Sequence, residues 1–270
     1  VVVQNKVDLV SKERAEQNYN EIREFLKGTP YEGAPIIPIS ARHNVNIDLL
    51  LDAIQKHIPT PARDKTKSPL FFIARSFDIN KPGSAPEGMT GGVLGGAMKQ
   101  GTLSVGQKIT ILPGYEVEEK NQKVWKPLSS TIVTIMAAGA ITSEATPGGS
   151  LGIMTELDPA IVKSDKLVGA VVGIEGKMPG VLSKFALEVH LLERVVGVKD
   201  QLVVDPIKLG EPLMLNVNAA ATVGLVRDLS KGLVRCDLKR PVCADIGSRV
   251  TISRMLGQRW RLIGYGIVKA

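Results

Sequence analysis

The chain has 270 residues, 44% of them hydrophobic and 23% charged, which is long enough for two or three domains and ordinary for a globular protein. Two cysteines exclude a disulfide scaffold and a zinc site built from cysteine alone, aromatic residues at 4% argue against a stacking platform for single-stranded nucleic acid, and no apolar run reaches membrane-spanning length, so no membrane partner is expected. The net charge of +7 is uneven: residues 1–66 carry nine basic and nine acidic side chains, 67–180 eleven and ten, and 181–270 fourteen and eight, so the last third points to an acidic partner such as RNA or an acidic protein surface.

The first element is Val1-Val2-Val3-Gln4, followed by Asn5-Lys6-Val7-Asp8. The β-branched run predicts a buried parallel strand whose carboxyl end releases polar groups into a loop. In an open α/β sheet, ligands bind at that end. These polar groups suit a guanine base. Asp8, as a carboxylate, can accept two parallel hydrogen bonds from the ring N–H and the exocyclic amine. Adenine offers an acceptor and no amine at those positions, so the carboxylate would go unpaired. The Asn5 amide can serve the base edge or a neighbouring loop, and the Lys6 stem can lie along the ring face. A strand ending in a solvated turn would explain the tetrapeptide taken alone.

A helix is predicted next, capped by Ser11, striped by Ala15, Tyr19, Ile22 and Leu26, and stopped by Gly28. Pro35-Ile36-Ile37-Pro38-Ile39-Ser40-Ala41-Arg42 then repeats the first design, an apolar strand running into a polar loop. Strand, helix and strand form one βαβ unit, so both loops should emerge at the same sheet edge. A second helix is predicted from Asn46, its cap, to Ile58, with Ile47, Leu50, Leu51, Ile54 and Ile58 on the apolar face and Pro59 ending it. No G-x-x-x-x-G-K-[ST] stretch, whose backbone N–H groups and lysine would hold phosphates, occurs in the 270 residues. Gly176-Lys177 is followed by Met178, with Val171 where the first glycine should stand. A phosphate-binding half upstream of Val1 is therefore expected.

Residues 59–67 are polar and proline-punctuated, and read as a linker. From Pro69 the period changes to short strands: Leu70 to Arg75, Gly92 to Met98, Gly101 to Gly114, Ile132 to Met136, Ser150 to Met154 and Val168 to Val172. This spacing predicts a closed antiparallel barrel, with 115–128 a charged excursion between strands. The Gly91-Gly92 and Gly95-Gly96 pairs are followed by strand and turn, which marks barrel bulges instead of a phosphate loop. A second barrel is expected from Val181, with strands near Phe185–Leu191, Leu213–Val217, Gly224–Val226, Leu233–Arg235, Arg249–Ile252 and Arg261–Val268. The domains are thus 1–66, 67–180 and 181–270. His43, His57 and His190 have no triad companions and read as structural or exposed. Cys236 and Cys243 read as buried free thiols. By charge, Arg75, Arg235, Lys239, Arg240, Arg254 and Arg259 are candidate RNA contacts.

The pair Asn5-Lys6-Val7-Asp8 and Ser40-Ala41 resembles the last two guanine-recognition motifs of the GTPase superfamily, where the loop backbone here around Ala41 donates to the guanine oxygen. The whole order resembles the translational GTPases typified by elongation factor Tu: the C-terminal part of an α/β P-loop GTPase domain, then two antiparallel β-barrels. Arg75-Ser76-Phe77-Asp78-Ile79-Asn80-Lys81-Pro82-Gly83, Gly91-Gly92-Val93-Leu94-Gly95-Gly96, Val105-Gly106-Gln107, Pro113-Gly114 and Trp260-Arg261-Leu262-Ile263-Gly264 are similar to the gamma subunit of eukaryotic and archaeal translation initiation factor 2. That resemblance implies guanine contacts from Asn5, Lys6, Asp8, Ser40 and Ala41. It implies GTP or GDP as ligand, with magnesium only through the upstream half, so this chain alone should not hydrolyse GTP. It implies initiator methionyl-tRNA, the alpha and beta subunits and the small ribosomal subunit as partners, and a cytoplasmic location. The first barrel would help hold the tRNA acceptor end and dock the alpha subunit, while the beta subunit would bind the GTPase domain. A selenocysteine-specific elongation factor, a non-catalytic docking scaffold and a plain RNA-binding barrel protein are the alternatives. Residues 138–150 match no motif.

Overall fold

In a computed structural model, which describes residues 1–120, 122–197, 202–230 and 232–269, the chain divides into two compact units between Ala62 and Arg63. In the first unit, β1 (Val2–Gln4) and α1 (Lys12–Leu26) lead to β2 (Ile36–Pro38), which pairs parallel to β1 with Val2 opposite Ile36 and Gln4 opposite Pro38. Ser11 caps α1, its side chain accepting from the Arg14 N–H at 3.3 Å, and Gly28 takes the left-handed conformation (φ 70°) just beyond the helix end. The stripe Ala15, Tyr19, Ile22 and Leu26 is half-buried. Gln4 is buried and donates to the Ala15 carbonyl at 2.8 Å and to Asn18 Oδ1 at 3.0 Å, fastening strand to helix.

The second helix, α2 (Ile47–His57), departs from expectation in two ways. Asn46 is left-handed and makes no side-chain cap; its amide instead donates to the Pro38 carbonyl at 2.8 Å, where it closes the loop after β2. Ala53 is buried and Ile47 and Leu50 are half-buried, while Leu51, Ile54 and Ile58 are exposed. Positions 47, 50 and 53 share a narrow face, and only that face is covered.

In the second unit the end of the linker is stitched to the first barrel. Gly101 N donates to the Asp64 carbonyl at 2.9 Å, and Arg63 Nη1 to the Met98 carbonyl at 3.3 Å. The strands are β3 (Leu70–Phe77), β4 (Val93–Gln100), β5 (Leu103–Ser104), β6 (Lys108–Glu119), β7 (Gln122–Ala137), β8 (Ala140–Thr142), β9 (Glu144–Ala145), β10 (Leu151–Thr155) and β11 (Val171–Gly173). Six of them run in the order β10-β4-β3-β11-β6-β7, and the β10–β7 pairing closes the circle. Period-two alternation sends Phe71, Ile73, Leu94, Met98, Ile109, Ile111, Ile135 and Ile153 inward, each 2% exposed or less. Each such side chain contributes roughly 1.5–3 kcal/mol by burial.

The expected excursion at 115–128 is instead strand. β6 and β7 continue as one hairpin, from Tyr115 opposite Lys126 to Glu119 opposite Gln122. Tyr115-Glu116-Val117-Glu118 alternates half-buried and exposed, but the glutamates and lysines at the tip make the stretch read as a charged excursion. A short helix, α3 (Pro159–Val162), was also not anticipated; the Asp158 side chain caps it by accepting from Ala160 N at 2.8 Å. At Gly96 an added Cβ would fall on the Phe72 carbonyl oxygen, beside a register shift between β3 and β4, so this glycine serves close backbone approach.

The second barrel comprises β12 (Val181–Leu191), β13 (Pro212–Val217), β14 (Ala220–Asp228), β15 (Leu233–Cys243), β16 (Arg249–Leu256) and β17 (Arg259–Lys269), closed in the order β12-β15-β14-β13-β16-β17. Leu187, Leu213, Leu215, Val217, Val242, Val250, Ile252 and Ile263 fill it. Leu70, Val171 and Cys243 form a further buried cluster shared by the two barrels. Cys236 and Cys243 are free and buried, and burial pushes both thiols up to about 12.

Candidate guanine-recognition site

The parallel pairing of β1 and β2 brings both polar loops to one sheet edge. The Ile39 N–H donates to the Gln4 carbonyl at 2.8 Å and the Val7 N–H to the Ile39 carbonyl at 3.3 Å, so the loops start in register. Asn5 then joins them. Its Oδ1 accepts from the Lys6 N–H at 2.8 Å and from the Ala41 N–H at 3.2 Å. Of the two roles open to Asn5, base edge or neighbouring loop, the structure shows the second. Lys6 follows in the left-handed region (φ 66°, ψ 34°) and turns the chain into the short 3-10 segment Val7–Leu9, which carries Asp8. A lysine there is strained by about 1–2 kcal/mol, the kind of strain that gathers at functional loops.

Asp8 faces Ser40. The Ser40 hydroxyl holds the Asp8 carboxyl below the usual carboxylate range, and His43 and Lys6 add smaller electrostatic contributions in the same direction. Ser40 is 1% exposed, and its Oγ also accepts from the His43 N–H at 3.3 Å. Asp8 is thus an ionised acceptor held by a buried hydroxyl, as two-pronged recognition of a guanine edge requires. The site brings Asn5, Lys6, Asp8, Ser40 and Ala41 together. It adds one residue that sequence reasoning left out: His43, whose Nε2 lies 3.7 Å from Asp8 Oδ2. The available signal was its spacing, three residues beyond a loop serine that could accept its backbone N–H.

The six basic candidates do not form one patch. Arg75 Nε pairs with Asp165 at 3.0 Å, and Arg235 Nη1 with Asp228 at 2.6 Å. Arg254 is enclosed: it holds Glu211 at 2.5 Å and donates to the carbonyls of Asp205 and Pro206 at 2.8 and 3.1 Å. Arg240 lies over the Trp125 ring, 5.0 Å from its centre, on the side of the second barrel that faces the first. Lys239 and Arg259 are exposed. In the barrel order, β15 stands three places from β16, on the opposite wall, so Arg235, Lys239 and Arg240 face away from Arg254. Among the described residues, no group of three or more His, Cys, Asp or Glu could hold a metal ion.

The fold is that of part of a GTPase domain of the elongation-factor type followed by two β-barrels. Residues 1–60 match the family model for the elongation factor Tu GTP binding domain, and residues 183–268 that for initiation factor eIF2 gamma, C terminal. Along 269 residues the chain is 54% identical to translation initiation factor 2 subunit gamma of Archaeoglobus fulgidus, 53% to that of Pyrococcus furiosus and 51% to that of Methanocaldococcus jannaschii. The match takes in 100% of this chain and 63%, 66% and 66% of those relatives, so the chain spans somewhat under two thirds of their length. The chain belongs to the family of the gamma subunit of translation initiation factor 2. Among solved structures, the fold is shared with translation elongation factor SelB from Methanococcus maripaludis in its apo form (TM-score 0.74, 18% identity, 100% of this chain and 58% of that one). It is also shared with a bacterial selenocysteine-specific elongation factor (TM-score 0.73, 20% identity, 98% and 39%).

Proposed function

We propose that these residues form the base-reading edge and both barrels of a GTP-binding initiation-factor subunit that delivers methionyl initiator tRNA to the small ribosomal subunit. The observation that carries the reading is the latch of Asn5 on Ala41, which sets the Ser40-held carboxylate of Asp8 at the mouth of the two loops. The identity of 51–54% with initiation-factor gamma subunits, against 18–20% with the selenocysteine factors, supports initiation over elongation. In this reading the 270 residues choose the base. They carry no G-x-x-x-x-G-K-[ST] stretch, so taken alone they bind GTP weakly and do not hydrolyse it. The first barrel serves the tRNA acceptor end and the alpha subunit, the beta subunit binds the GTPase domain, and the complex works in the cytoplasm.

The test uses a polypeptide of the full length of the relatives. Its affinity for methionyl initiator tRNA and for an elongator aminoacyl-tRNA is compared with GTP and with GDP. Tighter, GTP-dependent binding of the initiator is expected. Equal binding of both tRNAs, with the alpha subunit added, would move the assignment to an elongation-type GTPase.

A further inference from the structure

Between the two barrels lies a cleft of about 830 Å³ that the guanine site does not use. The first barrel contributes Tyr115 and Trp125 from the β6–β7 hairpin and Ile161 from α3; the second contributes Met214 and Val223, which are cross-strand partners on β13 and β14. All five are half-buried. Arg240 closes the back of the cleft, its guanidinium carbon 5.0 Å from the centre of the Trp125 ring, and its Nη2 is buried with no hydrogen-bond partner among the described residues. Burial lowers this guanidinium from its ordinary value, opposed in part by Glu116 nearby. Lys239 and Lys166 line the same cleft and are exposed, Lys166 also donating to the Ala160 carbonyl at 3.1 Å. Three cations face one carboxylate across an aromatic and aliphatic floor.

Trp, Tyr and Arg are the residues that carry most of the energy in protein–protein contacts, and Met is enriched beside them. Surfaces that take nucleic acid are more polar and more uniformly basic than this one. We infer that the inter-barrel cleft docks an extended acidic segment of a partner protein, with a carboxylate on Arg240 and an aromatic or aliphatic anchor against Trp125, Met214 and Val223. Charge complementarity commits the occupant: acids of the partner meet the exposed ammonium groups of Lys239 and Lys166, and a carboxylate beside them lies in the field of the half-buried Arg240 guanidinium.

A randomised peptide library selected on the full chain, with the Arg240→Met, Lys239→Met double variant as counter-selection, reads this chemistry directly. Enriched peptides should combine Asp or Glu with an aromatic or large aliphatic residue. Synthetic copies should shift Trp125 fluorescence in a Trp260→Phe background. Their affinity should fall roughly tenfold with Arg240→Met, and likewise when their acids are replaced by amides. Lys239→Met, a surface exchange, carries the same test should Arg240→Met disturb the barrel. No enrichment, enrichment without acidic residues, or affinity indifferent to both variants would overturn the proposal. Oligouridylate binding that the peptides cannot displace and that Arg240→Met weakens would also overturn it, and would give the cleft to RNA. None of these outcomes bears on the guanine site, which lies in the other unit.

Discussion

Asn5 Oδ1 accepts from the backbone N–H of Ala41, 36 residues away, at 3.2 Å. One amide side chain thereby ties the loop after the first strand to the loop after the second. Asn5→Ala removes the tie and leaves the Ala41 N–H without its acceptor. Because both loops are exposed, the expected cost lies in nucleotide affinity more than in stability: about tenfold weaker GDP binding by the full-length polypeptide, with a melting temperature changed by only a few degrees. A large fall in melting temperature with unaltered affinity would make Asn5 a structural residue only.

In the proposed reading, Asp8 chooses the base. Asp8→Asn places a donor where the guanine amine also donates, so affinity for GDP should fall on the order of 100-fold, about 3 kcal/mol. Xanthosine diphosphate carries a carbonyl at that position and should bind the variant better than GDP does. Competition between the two nucleotides measures this, and an unchanged preference would remove Asp8 from the site.

The acid limb of binding follows from the Ser40 contact. The carboxyl of Asp8 lies below its ordinary value of 3.8 in the folded state, so its favourable interactions are complete above that value and are lost as pH falls through the folded one. Guanine affinity should be flat near neutrality and decline only in acid. Ser40→Ala removes the largest cause of the depression, so the decline should begin at higher pH. Coincident pH profiles for Ser40→Ala and the parent would contradict the contact.

Arg254 and Glu211 are 13% and 15% exposed and lie 2.5 Å apart. Removing one partner strands the other, so Glu211→Ala should destabilise the barrels by about 3 kcal/mol, whereas replacing both with apolar residues should cost less. Urea unfolding of the two single variants and the double variant measures the difference. Neutralising the exposed Arg259 should instead leave stability alone and flatten the salt dependence of tRNA binding; an unchanged slope would take Arg259 out of the RNA surface.

Two further tests address packing. Gly96→Ala sets a methyl against the Phe72 carbonyl and should destabilise by about 2–3 kcal/mol in urea, while Gly180→Ala, with open space around it, should change little. Cys236 and Cys243, pushed up to about 12 by burial, should resist alkylation at mild alkaline pH and react once the chain is unfolded. Rapid labelling of the native chain would contradict their burial.

Much of this was legible because the chemistry is local. The strand before Asn5 (but not its expected burial, since Val3 is 43% exposed and only Gln4 is buried), the Ser11 cap, the Gly28 stop and the alternation in Phe71, Ile73 and Leu187 follow from backbone sterics and a period of two or 3.6, which short stretches record. Asn46 was misread because its side chain satisfies a carbonyl eight residues back, a partner that no local pattern names. The β6–β7 tip was missed because its charged residues mask the alternation of Tyr115, Glu116, Val117 and Glu118.

The sequence by itself determined the polar groups that the proposed base reading uses, through the residue types at Asn5, Lys6, Asp8 and Ser40, and it determined that two barrels follow. Only the tertiary structure decided which groups act together. Strand pairing set Ser40 and His43 against Asp8, barrel closure placed β15 and β16 on opposite walls and so separated basic residues of the last third, and the meeting of two barrels laid Arg240 over Trp125. Charge and hydrogen-bonding capacity belong to residues, whereas electrostatic shifts, satisfied donors and shared surfaces depend on distances that the chain acquires when it closes.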